Sequence, residues 1–200
     1  MITEIQFLLI SLISSVFHLD SLVFGQFMFH RPIVVGPLLG FLMGVPQYGV
    51  LFGCILELVF LSLIPVGIKV PPDATTATVV SLVCFKLSNG NIIVSLITGI
   101  LLGIIYKYLD ILTRSLNSMV INWIENAKDD VITTRINLLV VYGIVVTYFR
   151  SVLFYLILFP LLNVITKNIN KICLITNIND LVYILPAIGI GFGLAHFVEK

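Results

Sequence analysis

Glu57 stands alone among apolar residues, in the run Gly53-Cys54-Ile55-Leu56-Glu57-Leu58. In lipid a carboxylate at that place needs a partner or a proton, and by default it marks a solute pathway. Asp73 follows Pro71-Pro72 and opens Ala74-Thr75-Thr76, which suits a helix N-cap. Cap and ligand are compatible roles, because one carboxylate oxygen can bond the helix while the other faces a solute. Gln26 and His30 are four residues apart and share a face if that segment is helical. His30-Arg31, just before Pro32, reads equally as a ligand pair or as an anchor to backbone carbonyls or lipid headgroups. His18 and Asp20 lie near the end of the first apolar run, where snorkelling to the interface is the competing reading. As acid–base or metal groups of an intramembrane enzyme, His18, Asp20, His30 and Glu57 lack a recognised spacing. No G-x-S-x-G, H-E-x-x-H or phosphate-binding loop occurs. Gly189-Ile190-Gly191-Phe192-Gly193 has no βαβ context and reads as helix packing.

The elements that must position these groups are set by composition. The chain of 200 residues is 59% hydrophobic and 10% charged, with a mean hydropathy of +1.14. Soluble domains carry about 25% charged residues, so soluble, nucleic-acid-binding and disordered classes are excluded in favour of a polytopic all-α membrane protein in a lipid bilayer. A net charge of +1 points to no acidic partner. The first apolar segment lacks a basic n-region and is read as retained. Cys54, Cys84 and Cys173 have no metal-ligand spacing and read as buried free thiols.

Ile5 to Phe24 is long enough to cross a bilayer. Ile33 to Val45 is not. Its Gly36, Gly40 and Gly44 form one ridge if helical, and Pro32, Pro37 and Pro46 bracket and kink it. It is read as a re-entrant segment or half-helix, with a kinked helix as the alternative. Tyr48 to Ile64 is read as a second span ended by Pro65-Val66-Gly67, and Val79 to Leu87 as another half-membrane piece. Ile92 to Tyr106 is a plain span with Gly99 and Gly103 as a small-residue pair. Lys107 to Arg135 is read as an amphipathic interfacial helix with Trp123 at headgroup level, on the cytoplasmic side by its basic residues. Ile136 to Ile165 contains Arg150, which either pairs inside the bundle or divides two pieces. Leu181 to Val198 is the last span.

Between Gln26 and Thr76 the chain resembles the IIC membrane subunit of the mannose–fructose–sorbose family of phosphotransferase-system sugar transporters. The residues that carry this are Phe29-His30-Arg31-Pro32, Gly36-Pro37-Leu38-Leu39-Gly40, Leu56-Glu57-Leu58, Pro65-Val66-Gly67 and Pro71-Pro72-Asp73. The order and spacing of these pieces are those of the family. The resemblance implies a fold of transmembrane helices with re-entrant or broken segments, forming a single membrane domain over residues 1–200. Family members are commonly longer, so the C-terminal part of the family domain is read as missing.

The resemblance further implies a multi-pass permease in the bacterial inner membrane that passes a hexose or amino sugar to IIA and IIB subunits for phosphorylation. It implies a IID membrane partner, a trimer of IIC–IID heterodimers, an elevator-like movement, no cofactor or metal, no phosphorylated residue and no enzymatic activity of the chain itself. Sugar hydroxyls need dense bidentate hydrogen bonding, which Gln26, Glu57 and Asp73 supply; His30 joins them as a substrate-binding position. Lys69, four residues before Asp73, stands where the family has small residues and where it would neutralise Asp73. The alternative left open is a shortened IIC-like subunit with a structural or assembly role and no transport of its own.

Overall fold

The computed structural model describes residues 4–22, 27–61, 63, 70–125, 129–172 and 181–198. Gln26, Pro65-Val66-Gly67, Lys69, Cys173 and the side chain of Trp123 lie outside the described residues. The elements are α1 (Glu4–Leu22), α2 (Pro32–Leu42), α3 (Pro46–Phe60), α4 (Ala74–Leu87), α5 (Ile92–Glu125), α6 (Asp129–Ile172) and α7 (Leu181–Val198). Among the described residues every element is a helix. Glu4–Ser21, Ile92–Leu116 and Arg135–Thr166 are long and apolar enough to cross a membrane.

Short helices fill the space between these spans. α2 has 11 residues, begins on Pro32, and has the pre-set φ that suits Pro to a first helical position. α3 has 15 residues, about 22 Å at 1.5 Å per residue, against a hydrocarbon core of about 30 Å. The span expected over Tyr48 to Ile64 is therefore a shorter helix, beginning at Pro46 and closing at Phe60. α4 has 14 residues and is the central element, with Thr75 to Phe85 all buried. Its apolar and small residues run all round the helix, the pattern of a helix enclosed by others.

α2 and α3 form a hairpin at backbone contact. A Cβ on Gly40 would lie 2.7 Å from the Gly49 Cα, and one on Gly36 would lie 2.8 Å from the Gly53 Cα. The expected three-glycine ridge thus works as two glycines facing two others. Gly44 leaves the ridge: at φ +71 it makes the turn between the helices, a conformation open to glycine at little cost. Cys54, expected to be buried, is exposed, whereas Cys84 is buried. The packed face of α3 is the one carrying Gly49, Phe52, Gly53 and Leu56, which turns Cys54 outward.

α5 departs most from expectation. The interfacial helix expected from Lys107 is the continuation of the preceding span, in one helix of 34 residues. No Gly or Pro occurs between Gly103 and Gly143, so nothing in the chain breaks the helix at its polar boundary. α6 is likewise a single helix of 44 residues through Arg150. α7 packs on α3 at Gly189, whose Cβ would lie 2.7 Å from the Val59 Cα. Gly191 and Gly193 face open space.

Candidate functional site

A cavity of about 540 Å³ lies where α1, the turn before α2, the end of α3, the start of α4, α5 and α6 converge. Its size is that of a small-molecule site. Its walls carry Arg31, Glu57, Asp73, Asp110, Arg114 and Arg150, together with His18 and His30. Polar groups so dense in a bundle of apolar helices each need a partner, and the structure provides them from four directions.

The first is Asp20. Its Oδ1 accepts from the Phe27 N–H at 2.8 Å. Its Oδ2 accepts from the His30 N–H at 3.2 Å and contacts His30 Nδ1 at 2.9 Å. One carboxylate thus gathers the segment from Phe27 to His30, which includes Met28 in the left-handed region at φ 67. Asp20 and His18 are both buried, so neither snorkels. Residues 28–31 form a turn, so the shared helical face expected of Gln26 and His30 does not form at His30.

The second is the Arg31–Glu57 pair. Arg31 Nη1 donates to Glu57 Oε1 at 2.5 Å, and the Ile33 N–H reaches Oε2 at 3.4 Å. Glu57, solitary in sequence, is partnered by the residue 26 positions earlier and by a backbone donor in the unsatisfied first turn of α2.

The third is Asp73 with its buried neighbours. Its Oδ2 accepts from the Thr76 N–H at 2.6 Å, completing an N-cap. The Asp73 N–H donates to the Gly103 carbonyl at 3.1 Å. A Cβ on Gly103 would lie 2.7 Å from the Asp73 carbonyl oxygen, so glycine at 103 lets α5 approach the head of α4. Thr75 Oγ1 donates to the His30 carbonyl at 2.7 Å, joining α4 to the turn before α2. His18 Nδ1 lies 3.8 Å from Asp73 Oδ2, and His18 Nε2 lies 2.8 Å from Tyr155 Oη.

The fourth is Arg150. Its Nη1 donates to Asp110 Oδ1 at 3.2 Å and its Nη2 to Tyr106 Oη at 3.3 Å. Asp110 also accepts from Arg114 Nε at 2.8 Å. Arg150 therefore pairs inside the bundle, one of the two outcomes left open by the sequence.

Of the expected site residues, His30, Glu57 and Asp73 line one cavity, while Gln26 falls outside the described residues. Sequence reasoning did not select Asp110, Tyr106 or Tyr155 as site residues; it left Arg31 open between ligand and anchor, and His18 and Asp20 unassigned. A signal existed for His18 and Asp20: two ionisable groups at the end of an apolar run. For Tyr106 and Tyr155 none did. Among the described residues no group of three His, Cys, Asp or Glu side chains is placed to hold a metal ion. The cavity lining offers carboxylate acceptors and guanidinium donors.

The chain is similar to known proteins in sequence and in fold. The chain is 26% identical over 129 residues, 64% of its length and 48% of the relative's, to the PTS system mannose-specific EIIC component of Escherichia coli K12. It is 33% identical over 91 residues, 46% of its length and 32% of the relative's, to the PTS system sorbose-specific EIIC component of Lacticaseibacillus casei. The match spans about half the length of the first of these relatives or less. A solved membrane-protein structure has the same fold, with a TM-score of 0.81 at 20% identity over 98% of this chain and 81% of that one. The model of the PTS system sorbose-specific IIC component family matches residues 4–200, and the chain belongs to that family.

Proposed function

We propose that the chain is the sugar-translocating IIC subunit of a phosphoenolpyruvate-dependent phosphotransferase system, taking a hexose or amino sugar across a bacterial inner membrane. Its partners in this reading are a IID membrane subunit, in a trimer of IIC–IID heterodimers, and the IIA and IIB subunits that phosphorylate the sugar. The chain itself performs no phosphoryl transfer, and residues 1–200 act as one membrane domain. The observation that carries the reading is the convergence of His30, Glu57 and Asp73 on one cavity of about 540 Å³. Glu57 and Asp73 are the proposed acceptors for sugar hydroxyls, with His30 and Gln26 in support.

The mechanism follows from the pairs. Glu57 is held by Arg31 Nη1 and the Ile33 N–H, so its carboxylate is oriented and charge-balanced before sugar arrives. Asp73 is held through Oδ2 alone, and Oδ1 has no hydrogen-bond partner among the described residues. Fixed acceptors lose little entropy when a ligand binds, which favours affinity. The test is uptake of labelled sugar by cells carrying the complete transporter. Glu57→Gln is expected to lower uptake and Glu57→Ala to lower it further, with membrane abundance near wild type. Wild-type uptake by Glu57→Ala overturns the site, and uptake lost together with protein assigns Glu57 to holding the bundle.

A further inference from the structure

His18 is 1% exposed, yet it touches the cavity wall and faces three polar groups. Nδ1 lies 3.8 Å from Asp73 Oδ2. Nε2 lies 2.8 Å from Tyr155 Oη and 3.5 Å from Thr76 Oγ1, and the two hydroxyls are 3.3 Å apart. The ring joins α1 to α4 and α6, and its own element supplies no partner for either nitrogen.

The neighbours discriminate between tautomers. A hydroxyl can donate or accept, so Nε2 is satisfied with or without its hydrogen. A carboxylate only accepts, so a lone pair on Nδ1 would face Asp73 in repulsion. The lower-energy arrangement has Tyr155 donating to Nε2 and the hydrogen on Nδ1, pointing at Asp73. The distance of 3.8 Å is too long for a direct hydrogen bond, so the coupling is electrostatic. It acts in an interior where such coupling is poorly screened. His18 Nδ1–H and the Thr76 N–H both address Oδ2, which leaves Oδ1 for the cavity.

We propose that His18, held at Nε2 by the Tyr155 hydroxyl, is a positioning residue that fixes the orientation of Asp73 as a ligand for sugar hydroxyls. This rests on the reading of Asp73 as a sugar ligand. Tyr155 and His18 do not meet the sugar in this role; they determine which oxygen of Asp73 does.

Asparagine and glutamine separate the two ring nitrogens. Asn at 18 carries its amide near the place of Nδ1, and Gln carries it near the place of Nε2. Uptake kinetics are measured in cells carrying the complete transporter, with mannose, sorbose and N-acetylgalactosamine as probes and membrane abundance as control. His18→Asn is expected to raise KM about twofold and His18→Gln about tenfold, the span of one lost polar contact, with maximal rates little changed. A histidine that only satisfies Tyr155 in the core predicts the reverse order. Equal KM values for the two variants, or the lower value for His18→Gln, overturn the proposal. If neither variant reaches the membrane, Tyr155→Phe decides: a KM raised about threefold at normal abundance supports the role, and an unchanged KM overturns it. Asp73→Asn is run alongside. A wild-type KM there, or no uptake of any probe by the wild type, overturns the underlying sugar-site reading instead.

Discussion

Arg31 and Glu57 meet across the mouth of the α2–α3 hairpin, with Arg31 Nη1 donating to Glu57 Oε1. One residue stands immediately before α2 and the other in the last turn of α3. The Arg31 side chain is 45% exposed and that of Glu57 16%. Solvent reaching the arginine limits the contribution of the pair to stability to about 1 kcal/mol. Its consequence for the site is orientation. Arg31→Ala should lower uptake several-fold while thermal stability in detergent falls only slightly. The double change Arg31→Ala with Glu57→Ala should be no less abundant than either single change. A large loss of protein in Arg31→Ala would assign the pair to folding.

The Arg150–Asp110 pair differs in this respect, since both side chains are 13% exposed. Removing Arg150 leaves Asp110 with Arg114 as a partner, whereas removing the Asp110 charge leaves the Arg150 charge largely cut off from water, at about 3 kcal/mol or more. Arg150→Ala is expected to lower the melting temperature of the purified protein markedly. Asp110→Asn, which keeps the shape but leaves the Arg150 charge with the neutral Tyr106 hydroxyl, should lower it at least as much. Arg150→Met with Asp110→Leu should recover part of the loss. Thermal melts of the four proteins check the order.

Asp73→Ser keeps a capping oxygen and removes the charge, whereas Asp73→Ala removes both. Loss of the cap in the alanine variant should cost about 1 kcal/mol of stability, and serine should restore most of it. Uptake should be low in both. Uptake restored by serine would reduce Asp73 to a cap.

The α2–α3 contact predicts a steep dependence on size. Gly49→Ala places a methyl against the backbone of Gly36 and Gly40 and should lower membrane abundance. Gly191→Ala, where the added atom meets open space, should leave it unchanged. Quantitative immunoblotting of membranes compares the two.

α2 was legible as a short helix because Pro32 and Pro46 bracket it and because an apolar run of that length cannot cross a bilayer. α3 was not, since its apolar run continues past Phe60 to Ile64 and reads as a full span. The N-cap at Asp73 was legible because Pro71-Pro72 cannot continue a helix. Glu57 announced itself by isolation, but its partner did not. Arg31 precedes a proline on another element, and only the folded hairpin brings the two together. Likewise Lys107, Asp110 and Arg114 resembled a membrane-surface stripe. Their polarity belongs instead to a cavity reached by a continuous α5, and polarity alone does not distinguish a polar surface from a polar interior. Tyr155 lay hidden because a tyrosine in an apolar run carries no sign of what its hydroxyl meets.

The four glycines of the hairpin mesh like teeth with a single seating depth. Side chains elsewhere in the protein can repack by changing rotamer, but backbone against backbone has no such adjustment. Arg31 is fixed to one comb of teeth and Glu57 to the other, four residues past Gly53. The hairpin therefore serves as a gauge block for its mouth: substitutions on its outer, exposed face can vary freely while the gap between guanidinium and carboxylate stays the same.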